Sequence, residues 1–160
     1  MEQTVAEELV KELKKRKLHI STAESCTGGM IASTIVSVSG ASQVLEECYV
    51  TYSNRVKKKL LHVQEETLKQ YTEVSAQTAS EMAEGIVQAT GAEVGISVTG
   101  YAGPDGGEDG TCAGTVYIGT CLNGKAKTKK FVFAGDRMAV REQATKEALL
   151  FAWERITSNE

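Results

Sequence analysis

The sequence contains no apolar run of about 20 residues, the length that a membrane-spanning helix requires. Its amino terminus also lacks the pattern of a secretory leader, a charged segment followed by an apolar segment and a small-residue cleavage site. We therefore expect a cytoplasmic protein with no membrane partner.

Histidine and cysteine are scarce, with two and four residues respectively. The cysteines show no paired spacing and no Cys-x-x-Cys, a pattern that favours free thiols and argues against a zinc site. His19 is predicted to lie within a strand and His62 on a short helix, and we interpret both as structural. We expect no metal and no cofactor, and a serine nucleophile would need a base other than imidazole.

The formal net charge is only −3. A nucleic-acid-binding domain usually carries a clustered excess of lysine and arginine, which neutralises phosphates. The two basic clusters, at 11–17 and 125–130, are interpreted as solvated faces. We therefore expect no direct binding of nucleic acid.

The 160 residues predict one α/β domain over 1–160. Apolar periodicity and capping residues predict helices over 5–18, from Met30 onwards, directly after 53–54, over 76–90 and over 136–156. Strands are predicted over 18–23, 48–52, 94–99, 115–121 and 128–133, with Asn123 and Gly124 forming a tight hairpin turn. The expected architecture is a three-layer α/β/α sandwich, with a mixed sheet of about five strands including one antiparallel hairpin.

Ser25 lies where the first predicted strand meets the second helix. A carbonyl attacked by its hydroxyl would lie near the free N–H groups of Cys26, Thr27 or Gly28, which can stabilise an oxyanion. An equally weighted alternative is that Ser25 or Thr27 only caps the helix. Two residues are candidates to move the proton of the serine: Tyr52, at a strand end, and Lys57, one helical turn later. Without further information, the favoured interpretation is a half-buried strand aromatic for Tyr52 and a solvated lysine for Lys57.

A long glycine-rich loop follows the predicted strand 94–99. Its exposed amides could cradle a phosphate or a ribose, and Asp105 could bind ribose hydroxyls or an ammonia leaving group. Arg137 and Arg141 are four residues apart near the start of the last helix, where both the helix dipole and bidentate hydrogen bonds favour a phosphate. The alternative for the glycine-rich segment is a mobile surface loop. The alternative for the two arginines is that they form ion pairs with acidic neighbours.

Five ordered motifs together resemble the CinA C-terminal domain family. They are TAESCTGG at 22–29, VTYSN at 50–54, TGYAGPDGG at 99–107, GTVY at 114–117 and GDR at 135–137 with VR at 140–141. The resemblance implies the activity characterised in this family, deamidation of nicotinamide mononucleotide to nicotinate mononucleotide, which returns the nucleotide to NAD synthesis. It also implies a homo-oligomer, and we expect a stand-alone form of the domain.

The resemblance places the family's serine on Ser25, its tyrosine on Tyr52, its lysine on Lys57 and its last arginine on Arg141. It implies an acyl-enzyme on Ser25 with Lys57 as base, aided by Tyr52. The residues expected to bind the substrate are Thr99, Gly100, Gly103, Asp105, Gly106, Arg137 and Arg141. Two alternatives remain open at this point: an amidase that uses Cys26 as nucleophile, and a non-catalytic binding module associated with competence and DNA damage.

Overall fold

A computed structural model of the chain describes residues 2–158, which form six α-helices and one five-stranded sheet. The helices are α1 (Glu2–Arg16), α2 (Met30–Val36), α3 (Asn54–Leu61), α4 (Glu65–Tyr71), α5 (Ala76–Thr90) and α6 (Arg137–Thr157). The strands are β1 (Ile20–Glu24), β2 (Leu45–Val50), β3 (Val94–Gly100), β4 (Thr115–Leu122) and β5 (Lys125–Val132). A short 3₁₀ turn, Ala41–Gln43, precedes β2.

The strands are ordered β2-β1-β3-β4-β5 across the sheet. Strands β2, β1 and β3 are parallel, whereas β4 is antiparallel to both β3 and β5. Asn123 and Gly124 join β4 to β5 with positive φ angles of 53° and 73°, which a two-residue type I′ turn requires at both central positions. The predicted mixed sheet with one antiparallel hairpin is confirmed.

Helices cover both faces of the sheet. On one face α1, α2 and α6 pack against each other and enclose the larger apolar core, which includes Leu9, Ile31 and Leu149. On the other face α5 packs on the sheet and carries α3 and α4, around a smaller core that includes Leu61 and Met82. These layers confirm the predicted α/β/α sandwich.

This topology creates a crevice between β1 and β3. The chain leaves β1 through α2 to reach β2 on one side, and it returns through α3, α4 and α5 to β3 on the other side. The carboxyl ends of the three parallel strands therefore meet at one edge, with the reversal of strand order between β1 and β3. In open α/β sheets this position is where ligands bind.

Local signals located the starts of three helices and the end of one correctly. Ser53, Ser75 and Asp136 accept hydrogen bonds from main-chain N–H groups in the first turns of α3, α5 and α6, and Gly91 ends α5 with a φ of 75°. Among the helices of residues 2–158, none is both long and apolar enough to cross a membrane.

Four predictions need correction. Helix α4 was not predicted, because it buries no residue and so lacks an apolar stripe. Strand β2 starts at Leu45 and ends at Val50, instead of spanning 48–52, because this edge strand includes two consecutive exposed glutamates ahead of the apolar run. Strand β5 starts at Lys125, directly after the turn, and His19 precedes β1 instead of lying within a strand.

Candidate active site

A cleft opens at the carboxyl edge of the parallel strands. Its lining residues come from the ends of β1, β2 and β3 and the segments that follow them, from α3, from the approach to α5 and from the first residue of α6. They are Ser25, Cys26, Tyr52, Lys57, Glu73, Val74, Thr99, Gly100, Tyr101, Ala102, Gly103, Asp105 and Arg137. Its cavity volume is about 200 Å³, and the cleft is open to solvent at its mouth.

A buried lysine reaches the hydroxyl of Ser25 at the base of this cleft. Lys57 is only 1% exposed, and its Nζ lies 3.2 Å from Oγ of Ser25, 3.0 Å from the carbonyl oxygen of Thr51 and 3.2 Å from that of Tyr52. Burial lowers the pKa of Lys57 from 10.5 to about 8, because the ammonium form loses hydration. The negative charge of Glu73 opposes part of this effect.

The three partners of Nζ determine the direction of each hydrogen bond in the neutral amine. A neutral amine has two hydrogens and one lone pair, whereas the carbonyl oxygens of Thr51 and Tyr52 can only accept. Both hydrogens are therefore directed to the carbonyls, and the lone pair faces the hydroxyl of Ser25. In this state Ser25 donates to Lys57, which is the arrangement that a general base requires.

The sheet itself holds these residues in place. The N–H of Ser25 donates to the carbonyl of Val98 and the N–H of Thr51 donates to the carbonyl of Glu24, so both segments continue the strand ladder beyond β1 and β2. Ser53 then starts α3, and Lys57 follows one turn later on the buried side of the helix. Ser25 and Lys57, 32 residues apart in sequence, are thereby brought together.

A buried carboxylate organises the turn that carries Ser25. Glu24 is 1% exposed, and its carboxylate accepts from the hydroxyl of Thr27 at 2.7 Å. It also accepts from the main-chain N–H groups of Gly29, Ile31 and Ala32, at 3.2, 2.9 and 2.9 Å. Because Glu24 occupies the positive end of α2, that helix terminus is not available to a substrate anion.

Arg141 holds the same turn from the opposite side. Its Nε donates to the carbonyl of Cys26 at 2.9 Å, and its Nη2 donates to the carbonyl of Thr27 at 3.2 Å. The N–H of Gly28 donates to the carbonyl of Ser25. Within residues 2–158 the N–H groups of Cys26 and Thr27 donate to no other residue. Of the two residues only Cys26 lines the cleft, whereas Thr27 is fully buried, so the N–H of Cys26 is the candidate donor to an oxyanion beside Ser25.

The rim of the cleft is aromatic and cationic. Tyr52 is 62% exposed, and its hydroxyl accepts from Nη2 of Arg137 at 3.3 Å. Nη1 of Arg137 donates to the carbonyl of Gly103 at 2.6 Å. The guanidinium thus links the segment after β2 to the loop after β3, at the mouth of the cleft.

Cys26 lines the cleft but is poorly suited to nucleophilic attack. Burial raises the pKa of its thiol to about 11, so the reactive thiolate is scarce at neutral pH. Among the described side chains no group of three or more His, Cys, Asp or Glu residues is placed to hold a metal ion. The geometry thus favours Ser25 over Cys26 as the reacting group.

Comparison with known proteins agrees with this architecture. The family model for the CinA C-terminal domain matches residues 2–156. The chain belongs to the CinA C-terminal domain family. A CinA-like protein of Kosmotoga olearia is 47% identical over 150 residues, which make up 94% of this chain and 36% of that protein. The chain spans about a third of the length of the curated relatives it matches.

Solved CinA structures have the same fold. The competence damage-inducible protein A of Klebsiella pneumoniae subsp. pneumoniae superposes with a TM-score of 0.97 at 36% identity, covering 99% of both chains. A CinA superfamily protein from Escherichia coli gives a TM-score of 0.92 at 37% identity, covering 94% of this chain and 87% of that one. The three-layer sandwich is therefore the CinA fold.

The CinA-family domain brings most of the predicted site residues together. Those that line the cleft are Ser25, Cys26, Tyr52, Lys57, Thr99, Gly100, Gly103, Asp105 and Arg137. Thr27, Gly28, Gly106 and Arg141 are not among its lining residues. A Cβ on Gly106 would collide with the carbonyl of Thr111, so this glycine permits close packing within the loop.

Two predicted roles change with the geometry. Tyr52 contacts Lys57 through its main-chain carbonyl, while its hydroxyl pairs with Arg137 at the rim. The side chain is therefore not placed as a proton relay between Ser25 and Lys57. Arg141 uses two of its donors on the main chain behind Ser25, so among the two arginines it is Arg137 that faces the cleft.

Sequence reasoning missed Glu73, Val74, Tyr101 and Ala102 as lining residues and Glu24 as the organiser of the turn. Glu73 stands in an irregular segment before α5 and belongs to no motif. Glu24 had a usable signal, because it opens the short turn that leads into a predicted helix, and a carboxylate near a helix start is a favourable partner of the free N–H groups there.

Proposed function

We propose that this CinA domain is an amidohydrolase, which converts nicotinamide mononucleotide and water to nicotinate mononucleotide and ammonia through an acyl-enzyme on Ser25. The reaction would return the nucleotide to NAD synthesis as its acid. The observation that carries the proposal is the buried amine of Lys57, 3.2 Å from the hydroxyl of Ser25 and with a pKa lowered to about 8. A base of this strength can accept a hydroxyl proton near neutral pH.

In the first half of the reaction, Oγ of Ser25 attacks the carboxamide carbon while its proton passes to Nζ of Lys57. The carbonyl π electrons move to oxygen, and the N–H group of Cys26 donates to that oxyanion. The intermediate collapses when the C–N bond breaks and the ammonium of Lys57 gives its proton to the leaving nitrogen. Ammonia departs, and an ester joins Ser25 to the nicotinoyl group.

In the second half, water replaces ammonia in the cleft. Lys57, again neutral, takes a proton from this water as its oxygen attacks the ester carbon. The C–Oγ bond then breaks, Ser25 regains the proton from Lys57, and nicotinate mononucleotide leaves. Because the same amine serves both halves, a chain that lacks Lys57 loses acylation and deacylation together.

The remaining lining residues suit a mononucleotide. With the carboxamide at Ser25, the ring lies among the side chains that connect the base of the cleft to its rim, and the phosphate reaches Arg137. Thr99, Gly100, Gly103 and Asp105 line the same wall of the cleft. In this proposal the carboxylate of Asp105 binds the ribose hydroxyls. Arg137 supplies the positive charge at the mouth that a phosphate requires.

The test is conversion of nicotinamide mononucleotide by purified protein, followed by chromatography of the nucleotide product and by ammonia release. Free nicotinamide should remain largely untouched, because the phosphate contributes much of the binding free energy. Equal turnover of free nicotinamide would refute the phosphate contact. Turnover of neither compound would refute the amidohydrolase and favour a binding module.

A neighbouring pair of variants tests the nucleophile. Ser25→Ala should lower kcat by several powers of ten, because the nucleophile and its base act as a unit, whereas Cys26→Ala should retain a large part of the activity. Mass spectrometry of quenched wild-type reactions should find the acyl adduct on the peptide that contains Ser25. An active Ser25→Ala variant beside an inactive Cys26→Ala variant would replace the serine mechanism with the thiol.

A further inference from the structure

Glu73 lines the cleft but takes no part in the reaction steps above. It lies two residues before Ser75, the N-cap of α5. Its main-chain carbonyl accepts a hydrogen bond of 2.6 Å from the hydroxyl of Thr99, near the end of β3. This bond fixes the backbone of Glu73 against the strand that ends in the cleft.

The carboxylate of Glu73 acts on two other lining residues. Its negative charge raises the pKa of Lys57 against the dominant effect of burial, and it adds to the effect of burial in raising the pKa of Tyr101. The charge therefore stands within electrostatic reach of both the base and the aromatic ring of Tyr101. Within the described residues no donor forms a hydrogen bond with this carboxylate, so its charge is available to a ligand.

We propose that Glu73 is a specificity-determining residue that selects substrates whose carboxamide is attached to a positively charged aromatic ring. This inference rests on the proposed function, because it takes the carboxamide to be held at Ser25. The pyridinium ring of nicotinamide mononucleotide carries a formal positive charge. Lys57 in its ammonium form repels such a ring, and the carboxylate of Glu73 offsets that repulsion from the same cleft.

Charge selection can be separated from the effect of Glu73 on Lys57. Replacing Glu73 by glutamine removes the charge and keeps the shape, and it also lowers the pKa of Lys57 by removing an anion. Both substrates are therefore measured well above the pKa of about 8, where Lys57 is neutral in wild type and variant, so that neither substrate meets an ammonium. A ratio of two kcat/KM values, one for a cationic ring and one for a neutral ring, therefore reports only the effect of Glu73 on the ring.

The experiment compares nicotinamide mononucleotide with its neutral isostere, in which a benzene ring replaces the pyridinium ring while the carboxamide, ribose and phosphate stay the same. Glu73→Gln should lower the kcat/KM ratio of cationic to neutral substrate by about tenfold, the size expected for a partly hydrated ion contact. If the isostere turns over too slowly, its competitive inhibition constant replaces kcat/KM. Glu66→Gln, which removes an exposed charge from α4, should leave the ratio unchanged.

Two results would overturn this role of Glu73 while leaving the amidohydrolase intact. One is an unchanged ratio in Glu73→Gln, which includes an equal loss with both substrates. The other is a tenfold change of the ratio that appears in Asp105→Asn instead. Wild-type protein that releases no ammonia from nicotinamide mononucleotide is a different outcome. It refutes the proposed function, and the selection by Glu73 falls with it.

Discussion

Replacing Lys57 by methionine should abolish turnover and also stabilise the folded protein at neutral pH. The pKa of Lys57 is about 8 in the folded protein and has its ordinary value of 10.5 in the unfolded chain. At 1.36 kcal/mol for each pH unit, burying the ammonium costs about 3 kcal/mol below pH 8. Methionine fills a similar volume without a charge, but it leaves the carbonyls of Thr51 and Tyr52 unpartnered, at a cost of about 2 kcal/mol. The net gain at pH 7 is therefore about 1 kcal/mol.

The sign of this difference should reverse with pH. Between pH 8 and pH 10.5 the unfolded chain holds a proton on Lys57 that the folded protein has released. The free energy of unfolding of the wild type therefore rises with pH over this interval, by about 3 kcal/mol in total. The Lys57→Met variant has no such proton. The free energy of unfolding of the variant exceeds that of the wild type by the full amount below pH 8, and this difference shrinks as the pH rises. Above pH 10.5 the variant is less stable than the wild type by about 2 kcal/mol.

Urea unfolding at a series of pH values from 7 to 10.5 measures the effect, with ammonia release as the activity assay. Lys59→Met is the matched control, because Lys59 is an exposed lysine on the same helix. Its difference from the wild type should stay constant with pH. A constant difference between the wild type and Lys57→Met over the same range would show that Lys57 titrates normally, and it would remove the physical basis for Lys57 as the base.

Three further predictions follow from the same geometry. Because Lys57 must be neutral to accept a proton, kcat/KM should rise about tenfold for each pH unit below a pKa of about 8 and level off above it. Burial lowers this pKa, and the charge of Glu73 opposes part of that effect. A pH profile of kcat/KM that is already flat at pH 6 would exclude Lys57 as the base. Arg141→Ala should lower kcat more than it raises KM, since its donors hold the main chain beside Ser25. Steady-state kinetics that show only a raised KM would instead place Arg141 on the substrate. Arg137→Ala should raise KM for the nucleotide with little change in kcat, and an unchanged KM would assign the phosphate to other groups.

Local signals were reliable where the physics is local. The predicted helix 76–90 has its exact bounds in α5, because a cap depends on a hydroxyl and an N–H three residues apart and the helix end depends on a glycine with positive φ. The hairpin at Asn123 and Gly124 is also local. Helix α4 escaped prediction and the bounds of the edge strand β2 were wrong, because their residues bury little apolar surface and leave no clear period in the sequence.

The residues of the site also differ in whether local sequence could identify them. The turn between β1 and α2 is formed by consecutive residues, so the sequence alone could identify Ser25 as a candidate nucleophile. Lys57 could not be distinguished by periodicity from Lys58 and Lys59, which are exposed. Only the resemblance to the CinA family selected it before the fold was known.

By itself, then, the sequence determined the class of fold, the family and the strand-to-helix turn that presents Ser25, because each depends on neighbouring residues or on ordered motifs. The tertiary structure alone decided that Lys57 is buried against Ser25 with a lowered pKa, that Arg141 holds the main chain of a turn more than 100 residues away, and that Glu73 faces the cleft. The reason is that dehydration and charge proximity are properties of packing between distant segments, and neither leaves a trace in local residue order.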